Sequence, residues 1–295
     1  MTFQSLTIRL HKLAVILLLV LIILFLLVVE ICLFPVFLFN RTLIERIMGL
    51  YAKLITNTIL YSLRIGNPHA IRFCDNQGQT QTNLAQYNDQ KSSYILVSNH
   101  ICALDTVLVR YIGFELLQVD TKYISKESMK WVPIVGWAMY MSGFLFIKRS
   151  WEKDAQNIKD WCAVRQRQPR QALAIYPEGT RFTPAKHKLS LTYAKQHGLP
   201  HLSNLLLPRT KGFQLFTTAL ANTKFTQILN LTIVYTENNQ RTTAPSLLQA
   251  LLHPLPGTFN IHIQPDQLAT INDPNQYLLS TFTKKDALIT NLFTK

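Results

Sequence analysis

The N-terminal part of the chain contains a long and almost uninterrupted apolar run. Residues 13–29 are 17 consecutive apolar residues, and after Glu30 the run continues to Phe39. At about 1.5 Å per helical residue, the first stretch is about 26 Å long, close to the roughly 30 Å core of a bilayer. The pattern predicts one membrane helix over residues 13–39. A signal peptide would have a shorter apolar segment and a small-residue cleavage site, which is not evident after Phe39.

Charged residues within and beside this run predict its placement. A carboxylate is costly in hydrocarbon, so we expect Glu30 to lie near an interface or to be protonated. Glu30 and Pro35 leave open whether the run crosses the bilayer or bends back within it. More basic residues follow the run than precede it, and the positive-inside rule then places the bulk of the chain on the cytoplasmic side of a cytoplasmic or inner membrane. The preceding cations are Arg9 and Lys12, and the following ones are Arg41, Arg46, Lys53 and Arg64.

A second helix is predicted over residues 42–65, because apolar side chains recur there at helical spacing. A helix of this kind either lies in the membrane interface or packs on the folded domain, and the pattern favours neither. We therefore divide the chain into an N-terminal membrane-associated helical segment, 1–65, and an α/β domain, 66–295. The apolar stripe is formed by Leu43, Ile47, Leu50, Leu54, Thr58 and Tyr61.

The domain alternates short β-branched runs with helical patterns. This alternation predicts an α/β fold with a largely parallel sheet flanked by helices. Residues 75–93 are polar and predict an exposed loop. The predicted strands are 94–98, 122–125, 144–148, 172–176, 205–208, 228–235 and 258–263. The predicted helices are 104–117, 126–142, 152–167, 187–198, 211–221 and 274–293.

Composition narrows the possible partners. Lys and Arg number 30 against 16 Asp and Glu, which gives a net charge of +14. Such a surplus favours an anionic partner: a nucleic acid, a phosphate-bearing substrate or an anionic membrane. Nucleic acid is disfavoured, because no known binding module is recognisable and the basic residues do not alternate with aromatic ones. The glycine-rich nucleotide motifs and the G-x-S-x-G nucleophile elbow are also absent from the sequence.

The four cysteines stand at positions 32, 74, 102 and 162. No pair has C-x-x-C spacing, and no group of Cys and His residues has the spacing of zinc ligands. The pattern indicates free thiols in a reducing compartment, and we expect no metal.

The first candidate for chemistry is His100, two residues after a predicted strand, with Asp105 five residues further on. If the chain turns after the strand, Asp105 lies near the start of the next helix and its carboxylate holds one imidazole nitrogen. The other nitrogen is then free to take a proton from a hydroxyl, as a general base does. The alternative interpretation is an ordinary strand-end histidine followed by a helix N-cap.

Three further strand ends carry polar residues. Residues 143–149 form a buried strand that ends in two cations, and residues 176–181 form a strand followed by a tight turn. The hydroxyl, amides and guanidinium of that turn suit phosphate, although each segment alone fits a surface basic pair or a plain turn. Residues 207–210 are the third of these predicted strand ends. In α/β sheets, ligands bind in the crevice outside the carboxyl ends of the strands.

In this order and at these spacings, the segments resemble the glycerophospholipid acyltransferase family, the 1-acylglycerol-3-phosphate acyltransferase superfamily. The resemblance covers about residues 93–213. The stretch from Glu178 to Phe213 looks like the branch of the lysocardiolipin acyltransferases and their bacterial relatives. The four blocks read Asn99-His100-x4-Asp105, Gly143-x-x-Phe146-Ile147-x-Arg149, Glu178-Gly179-Thr180-Arg181 and the Pro208 block.

The resemblance implies a membrane-bound O-acyltransferase that moves a fatty acyl group from acyl-CoA or acyl carrier protein to the free hydroxyl of a lysophospholipid. The default acceptor is 1-acyl-sn-glycerol-3-phosphate, which gives phosphatidic acid. Lysophosphatidylglycerol, lysophosphatidylinositol and lysocardiolipin are alternative acceptors, and an inactive protein that binds anionic membrane lipids is a further alternative. No metal or other cofactor is implied.

The resemblance also implies roles for single residues. His100 is the general base and Asp105 orients it. Pro208 shapes the acyl-donor side of the site. Because Glu178 is a carboxylate, we expect it to order a neighbouring arginine or to bind a glycerol hydroxyl. The residues implied to bind the acceptor and its phosphate are Arg149, Glu178, Gly179, Thr180 and Arg181, with Lys126 as a further phosphate ligand.

Overall fold

Two long helices precede the rest of the fold in the computed structural model, which describes residues 3–293. They are α1 (Phe3–Phe39) and α2 (Arg41–Arg64). The side chain of Asn40, between them, accepts a hydrogen bond from the Leu43 amide at 3.0 Å and so caps the start of α2. The two helices pack side by side as an antiparallel hairpin.

One eight-stranded sheet forms the centre of the described part of the chain. Its strands are β1 (Ile71–Cys74), β2 (Ser93–Ser98), β3 (Asp120–Lys126), β4 (Leu145–Ile147), β5 (Gln171–Ile175), β6 (Phe225–Glu237), β7 (Gln240–Arg241) and β8 (Thr258–Gln267). The order across the sheet is β1-β8-β6-β2-β5-β3-β4, and β7 pairs with β6. Strands β6, β2, β5, β3 and β4 are parallel, whereas β8 runs antiparallel to β6.

Helices cover both faces of this sheet. Successive side chains of β2 point to opposite faces, so Tyr94 and Leu96 join one apolar core and Ile95 and Val97 join the other. Together with α1 and α2, α3 and α8 cover the first face, and α5, α7 and α9 cover the second. The predicted fold class is therefore confirmed. The helices after α2 are α3 (Leu104–Tyr111), α4 (Val135–Met141), α5 (Trp151–Arg165), α6 (Pro184–Gln196), α7 (Thr210–Leu220), α8 (Leu247–Leu252) and α9 (Pro274–Phe293).

Helix α1 buries one stripe of its apolar surface against the protein and exposes most of the rest. The segment Leu6–Phe39 is long and apolar enough to cross a membrane, by length and composition. Glu30 faces the protein, where it is buried. Lys12 is buried too, and its Nζ donates to the carbonyl oxygens of Ser62 and Ala250 at 2.9 Å each. It therefore supplies a hydrogen-bond donor to the last turn of α2. The orientation in a membrane stays a prediction.

The structure shows that helix α2 packs on the folded domain, a point that the sequence pattern left open. The predicted stripe is largely exposed, with Leu50 and Tyr61 on the outside, whereas Ile44, Met48 and Leu63 beside it are buried in the protein. The helix therefore packs on the domain with one face and presents a second apolar face outward. The domain boundary at residue 65 stays a prediction.

A buried charge cluster of Glu45, Lys122 and Arg165 links α2 to the sheet. The Arg165 Nη2 donates to Glu45 Oε1 at 2.7 Å, and Lys122 Nζ lies 3.2 Å from Glu45 Oε2. Burial acts to raise the pKa of Glu45, but the hydrogen bonds and charges of Arg165 and Lys122 outweigh it and hold this pKa below its ordinary value. Glu45 is therefore ionised, and it joins α2 to α5 and β3.

The structure also corrects several predicted elements. The strand predicted over 205–208 is wrong: this segment is a loop that pairs with no described strand. Its amides bind side chains instead, because Leu206 N donates to Glu178 and Leu207 N to Ser190 Oγ. The helix predicted over 126–142 is a 3-10 turn, Glu127–Trp131, followed by α4. Strands β1 and β7 lie in segments where the sequence pattern predicted none.

Candidate active site

The carboxyl ends of four neighbouring parallel strands, β2, β5, β3 and β4, open into one cleft of about 1150 Å³. Parallel strands place their carboxyl ends at the same edge of a sheet, so polar residues that follow different strands converge there. Every site residue predicted from the sequence lines this cleft except Asp105, which lies buried behind His100. The lining residues among them are His100, Lys126, Arg149, Glu178, Gly179, Thr180, Arg181 and Pro208.

His100 and Asp105 form the expected pair. The His100 Nδ1 lies 3.0 Å from Asp105 Oδ2, and Asp105 is the second residue of α3. The same carboxylate accepts the amides of Ile101 at 2.6 Å and Cys102 at 2.9 Å, so the turn after β2 holds it in place. Because a carboxylate only accepts hydrogen bonds, the contact favours the tautomer of the neutral imidazole with its hydrogen on Nδ1 and its lone pair on Nε2.

The imidazole of His100 is held on its other sides as well. The ring of Tyr176 packs against it with 4.5 Å between ring centroids. Asn99 is fully buried and fixes the end of β2 to β6, since its Nδ2 donates to the Ile233 carbonyl and its Oδ1 accepts the Ile233 amide, at 2.8 Å each. Among the described residues, Nε2 has no hydrogen-bond partner, so it is available to a molecule in the cleft.

Cys102 is not a competing nucleophile, although it lies beside this pair. Its sulfur lies 3.4 Å from Asp105 Oδ1, and the residue is buried. Burial, and then the negative charge of Asp105, raises the pKa of the Cys102 thiol. The thiol stays protonated, so the imidazole is the basic group at this end of β2.

Glu178 plays a different part from the one that the sequence indicated. It is almost fully buried, and Oε2 accepts the His100 amide at 2.9 Å while Oε1 accepts the Leu206 amide at 3.3 Å. Its hydrogen bonds thus go to two loops of the backbone, and not to Arg149 or Arg181. The carboxyl group joins the turn after β2 to the segment before α7, which makes Glu178 a positioning residue for His100.

Burial governs the charge of Glu178 and of the nearby Lys285. It raises the pKa of Glu178 to about 8, against the two amide hydrogen bonds. It lowers the pKa of Lys285 to about 7, against the attraction of Glu178. Lys285 Nζ donates to the carbonyl oxygens of Val97 at 2.7 Å and Leu231 at 2.8 Å. These bonds attach α9 to β2 near its carboxyl end and to the middle of β6.

Six cationic side chains line the cleft, against two carboxylates. The sequence pointed to Lys126, Arg149 and Arg181 and missed Lys186 and Lys211. Lys186 is drawn in by the turn after β5, since its Nζ donates to Thr180 Oγ1 at 2.6 Å. The six cations are Lys126, Arg149, Arg181, Lys186, Arg209 and Lys211. Such a surface attracts an anion, and a phosphate above all.

Gly179 allows the turn after β5 to pass close to the next loop. Its φ is +68°, and a Cβ there would lie 3.3 Å from Arg209 Nε. Arg209 is tied to the same turn by its amide, which donates to the Pro177 carbonyl at 2.8 Å. A side chain at position 179 would therefore strain the backbone and crowd Arg209.

The cleft has an apolar side beyond these cations. Pro208 lies there with residues of β4, α5 and α7, and this surface suits a hydrocarbon chain. The side chains that form it include Ile147, Ile158, Leu206, Leu207, Phe213 and Phe216.

Helix α9 holds the loop that carries Pro208. Both carboxylate oxygens of Asp286 accept backbone amides, from Ser203 at 2.9 Å and Asn204 at 2.6 Å. Arg241 Nη2 donates to the Asn204 carbonyl at 2.9 Å from the other side. Because the Leu206 amide two residues on binds Glu178, α9 is connected to His100 through this loop.

Replacing Asp286 by alanine is expected to lower kcat about tenfold, because Ser203 and Asn204 lose their acceptors and the loop releases Glu178. The measurement is turnover of the purified protein in lipid vesicles, together with its melting temperature. Asp273→Ala is the matched control: Asp273 Oδ1 accepts two amides, of Asn275 and Gln276, at the exposed start of the same helix. Equal losses in both variants would show that α9 contributes stability only.

The described part of the chain has no group of three His, Cys, Asp or Glu side chains placed to hold a metal ion. Its cysteines are unpaired, with Cys74, Cys102 and Cys162 buried. The chemistry that the cleft offers is therefore that of an oriented imidazole beside a cationic, partly apolar surface.

An α/β sheet with a His–Asp pair at its carboxyl edge, beside a cationic and partly apolar cleft, is the arrangement expected of the acyltransferase class that the sequence blocks resemble. A family model described as Acyltransferase matches residues 77–224, which include all four sequence blocks. The chain belongs to the glycerophospholipid acyltransferase family, the 1-acylglycerol-3-phosphate acyltransferase superfamily.

Individual relatives agree with this family. A probable 1-acyl-sn-glycerol-3-phosphate acyltransferase 5 of Arabidopsis thaliana is 33% identical over 206 residues, which cover 68% of this chain and 53% of the plant protein. The 1-acyl-sn-glycerol-3-phosphate acyltransferase 2 of Brassica napus is 32% identical over 211 residues, 68% of this chain and 51% of its own length. The 1-acyl-sn-glycerol-3-phosphate acyltransferase delta of Mus musculus is 37% identical over 125 residues, which cover 42% of this chain and 33% of the mouse protein. The chain spans about half the length of the plant relatives. The lysocardiolipin-type branch stays a prediction.

Proposed function

We propose that this protein transfers a fatty acyl group from a thioester to the free hydroxyl of 1-acyl-sn-glycerol-3-phosphate and so forms phosphatidic acid. The observation that carries the proposal is the 3.0 Å contact between His100 Nδ1 and Asp105 Oδ2, which leaves Nε2 free in a cation-lined cleft. The names of the relatives support this acceptor, and the long apolar helix α1 supports a reaction at a membrane.

The first step is attack by the acceptor. His100 Nε2 accepts the proton of the lysophospholipid hydroxyl while the hydroxyl oxygen bonds to the carbonyl carbon of the thioester. Asp105 holds the imidazole in the required tautomer and stabilises the imidazolium that forms, as the acid does in a Ser-His-Asp triad. The product of this step is a tetrahedral intermediate, and the enzyme itself carries no acyl group.

The second step releases the thiol. The carbon–sulfur bond breaks, the carbonyl re-forms, and the imidazolium returns its proton to the leaving sulfur. The products are the diacyl lipid and a free thiol, and His100 is restored. Coenzyme A and acyl carrier protein both present such a thioester, so either donor satisfies this scheme.

Binding of the acceptor follows from the charges of the cleft. Arg149 and Arg181 lie on the loops after β4 and β5, and Lys186 lies in the first turn of α6; all three line the cleft, where a phosphate attached to the reacting glycerol would meet them. Lys126 and Lys211 add to the positive surface. The apolar side formed with Pro208 takes an acyl chain, so phosphate and hydrocarbon bind to different parts of one cleft.

The proposal is tested with the full chain in lipid vesicles, supplied with labelled acyl-CoA or acyl carrier protein and a panel of lysophospholipids. We expect product from lysophosphatidate at a rate at least about tenfold above that from acceptors with a larger headgroup. Product only from lysophosphatidylglycerol, lysophosphatidylinositol or lysocardiolipin would refute the acceptor and retain the reaction. No product from either donor with any acceptor would refute the reaction and favour a lipid-binding role.

A further inference from the structure

An exposed apolar surface lies between β3 and β4, outside the cleft. We call it the aromatic patch; it consists of Trp131, Val132, Val135, Trp137 and Tyr140. Trp131 is 82% exposed and Trp137 48% exposed, in a segment of ten residues. Two tryptophans and a tyrosine on the outside of a protein are costly in water, and such side chains are typical of the interface between a bilayer and water. The patch therefore points to a surface that is covered when the protein works.

The backbone under the patch is constrained to keep these side chains outside. Ile134 has a φ of +63°, which a β-branched residue seldom adopts. Gly136 packs so closely on the preceding turn that a Cβ would lie 2.3 Å from the Met129 carbonyl oxygen. A strained residue and a glycine that admits no side chain hold the turn in one shape. The backbone that carries Trp131 and Trp137 therefore has little freedom to turn these side chains inward.

The patch continues the apolar surface of α1. The rings of Phe34 and Trp137 lie 5.7 Å apart, and those of Phe37 and Tyr140 lie 5.5 Å apart. Phe39, at the end of α1, is 90% exposed. The helix that is apolar enough to enter a membrane therefore ends beside the aromatic patch, and the two surfaces face the same surroundings.

Charge beside the patch has the sign that suits anionic lipid. Lys126 and Lys130 lie on the turn that leads into it, and Lys130 Nζ lies 5.1 Å from the centre of the Phe146 ring. Arg149 follows just after β4, and the acid in the same turn, Glu127, is paired with Lys148 at 3.7 Å. Aromatic side chains flanked by lysines match the headgroup region, where amphipathic rings and cations are both stabilised.

We propose that the aromatic patch inserts into the headgroup region of an anionic phospholipid bilayer, as a second membrane contact besides α1. Lys126 lines the cleft and begins the turn that bears the patch, so this contact places the mouth of the cleft at the lipid surface. The acceptor then enters the cleft from the bilayer without crossing water. That consequence rests on the proposed function, whereas the insertion of the patch does not.

The direct test is the fluorescence of single tryptophans in the full chain, reconstituted in vesicles of phosphatidylglycerol and phosphatidylcholine. One variant keeps Trp131 alone through Trp137→Phe, Trp151→Phe and Trp161→Phe. Its control keeps only Trp161, through Trp131→Phe, Trp137→Phe and Trp151→Phe; Trp161 is half-buried, and its Nε1 donates to the Gly143 carbonyl at 3.0 Å. We expect brominated lipids to quench Trp131 at least about threefold more than Trp161, because quenching requires contact with the acyl or headgroup region.

Equal quenching of the two tryptophans would overturn the proposal, and so would ready quenching of Trp131 by aqueous iodide. Shielding of Trp131 from both quenchers would place a protein surface over the patch, such as a second copy of the chain, and would overturn it too. Neither quenching measurement depends on catalysis. Failure of the proposed function therefore cannot be mistaken for failure of this contact.

A kinetic test addresses the role of the contact. The variant Trp131→Ser/Trp137→Ser is expected to raise KM for a long-chain acceptor in vesicles about tenfold and to leave kcat/KM for a monomeric short-chain acceptor unchanged. Val164→Ser is the control, since Val164 is an exposed apolar residue on α5. Equal effects on both acceptors, or an effect of the same size from Val164→Ser, would contradict a role at the bilayer.

Discussion

Replacing His100 by alanine is expected to lower kcat for acyl transfer about 10³-fold, with KM for both substrates nearly unchanged. The variant removes the only basic side chain that the described cleft presents with an oriented free lone pair. The cations and the apolar wall that bind the substrates remain. The measurement is steady-state turnover of wild type and variant in the same vesicles, with labelled acyl thioester.

The control for this prediction is His197→Ala. His197 lies at the end of α6, stacks on Tyr193 and is exposed, so its loss tests only the general effect of removing an imidazole. A His100→Ala variant that retains more than about one tenth of wild-type kcat would contradict the assignment of the base. Loss of substrate binding instead of turnover would make His100 a binding residue.

Replacing Glu178 by glutamine is expected to lower kcat about 10²-fold. Glutamine keeps the size of the side chain, but its amide nitrogen cannot accept a hydrogen bond as either carboxyl oxygen can, so either the His100 or the Leu206 amide loses its partner. A buried donor without an acceptor costs about 1–3 kcal/mol, and a shift of about 1 Å at His100 suffices for the loss in rate. Turnover and melting temperature in lipid vesicles check the two effects.

Glu127→Gln serves as the comparison, since Glu127 is an exposed acid near the cleft whose partner is the Lys148 ammonium. It should change kcat less than about twofold, because exposed ion pairs contribute little. If Glu178→Gln instead raised KM for the lysophospholipid and left kcat unchanged, Glu178 would bind the acceptor. The positioning role described above would then be wrong.

Much of this site could be predicted because its signals are local. The predicted strands 94–98 and 172–176 are short apolar runs, typical of strands buried on both faces, and both are close to β2 and β5 as observed. The turn that brings Asp105 to His100 takes place within six residues. Lys126 ends β3, Arg149 lies just after β4 and Arg181 lies in the turn after β5, so a parallel sheet brings these three cations to one edge.

What the sequence missed depends on contacts between distant segments. Residues 205–208 have the composition of a strand, but Glu178 and Ser190 take up the amides that a neighbouring strand would need. Lys12 and Glu30 interrupt an apolar helix, yet both face the protein, where only the packing of α1 on the domain puts them. Asp286 belongs to no recognisable sequence motif. Its role depends on hydrogen bonds to a loop about 80 residues away in the chain.

The position of α9 has a consequence for how the protein matures during synthesis. All four sequence blocks are translated before Lys285 and Asp286. Until those two residues are translated, the end of β2, the middle of β6 and the loop before α7 lack the hydrogen bonds that α9 provides. The apolar helix α1 is translated before all of them. A nascent chain therefore lacks these contacts until α9 has left the ribosome and packed against β2, β6 and the loop before α7.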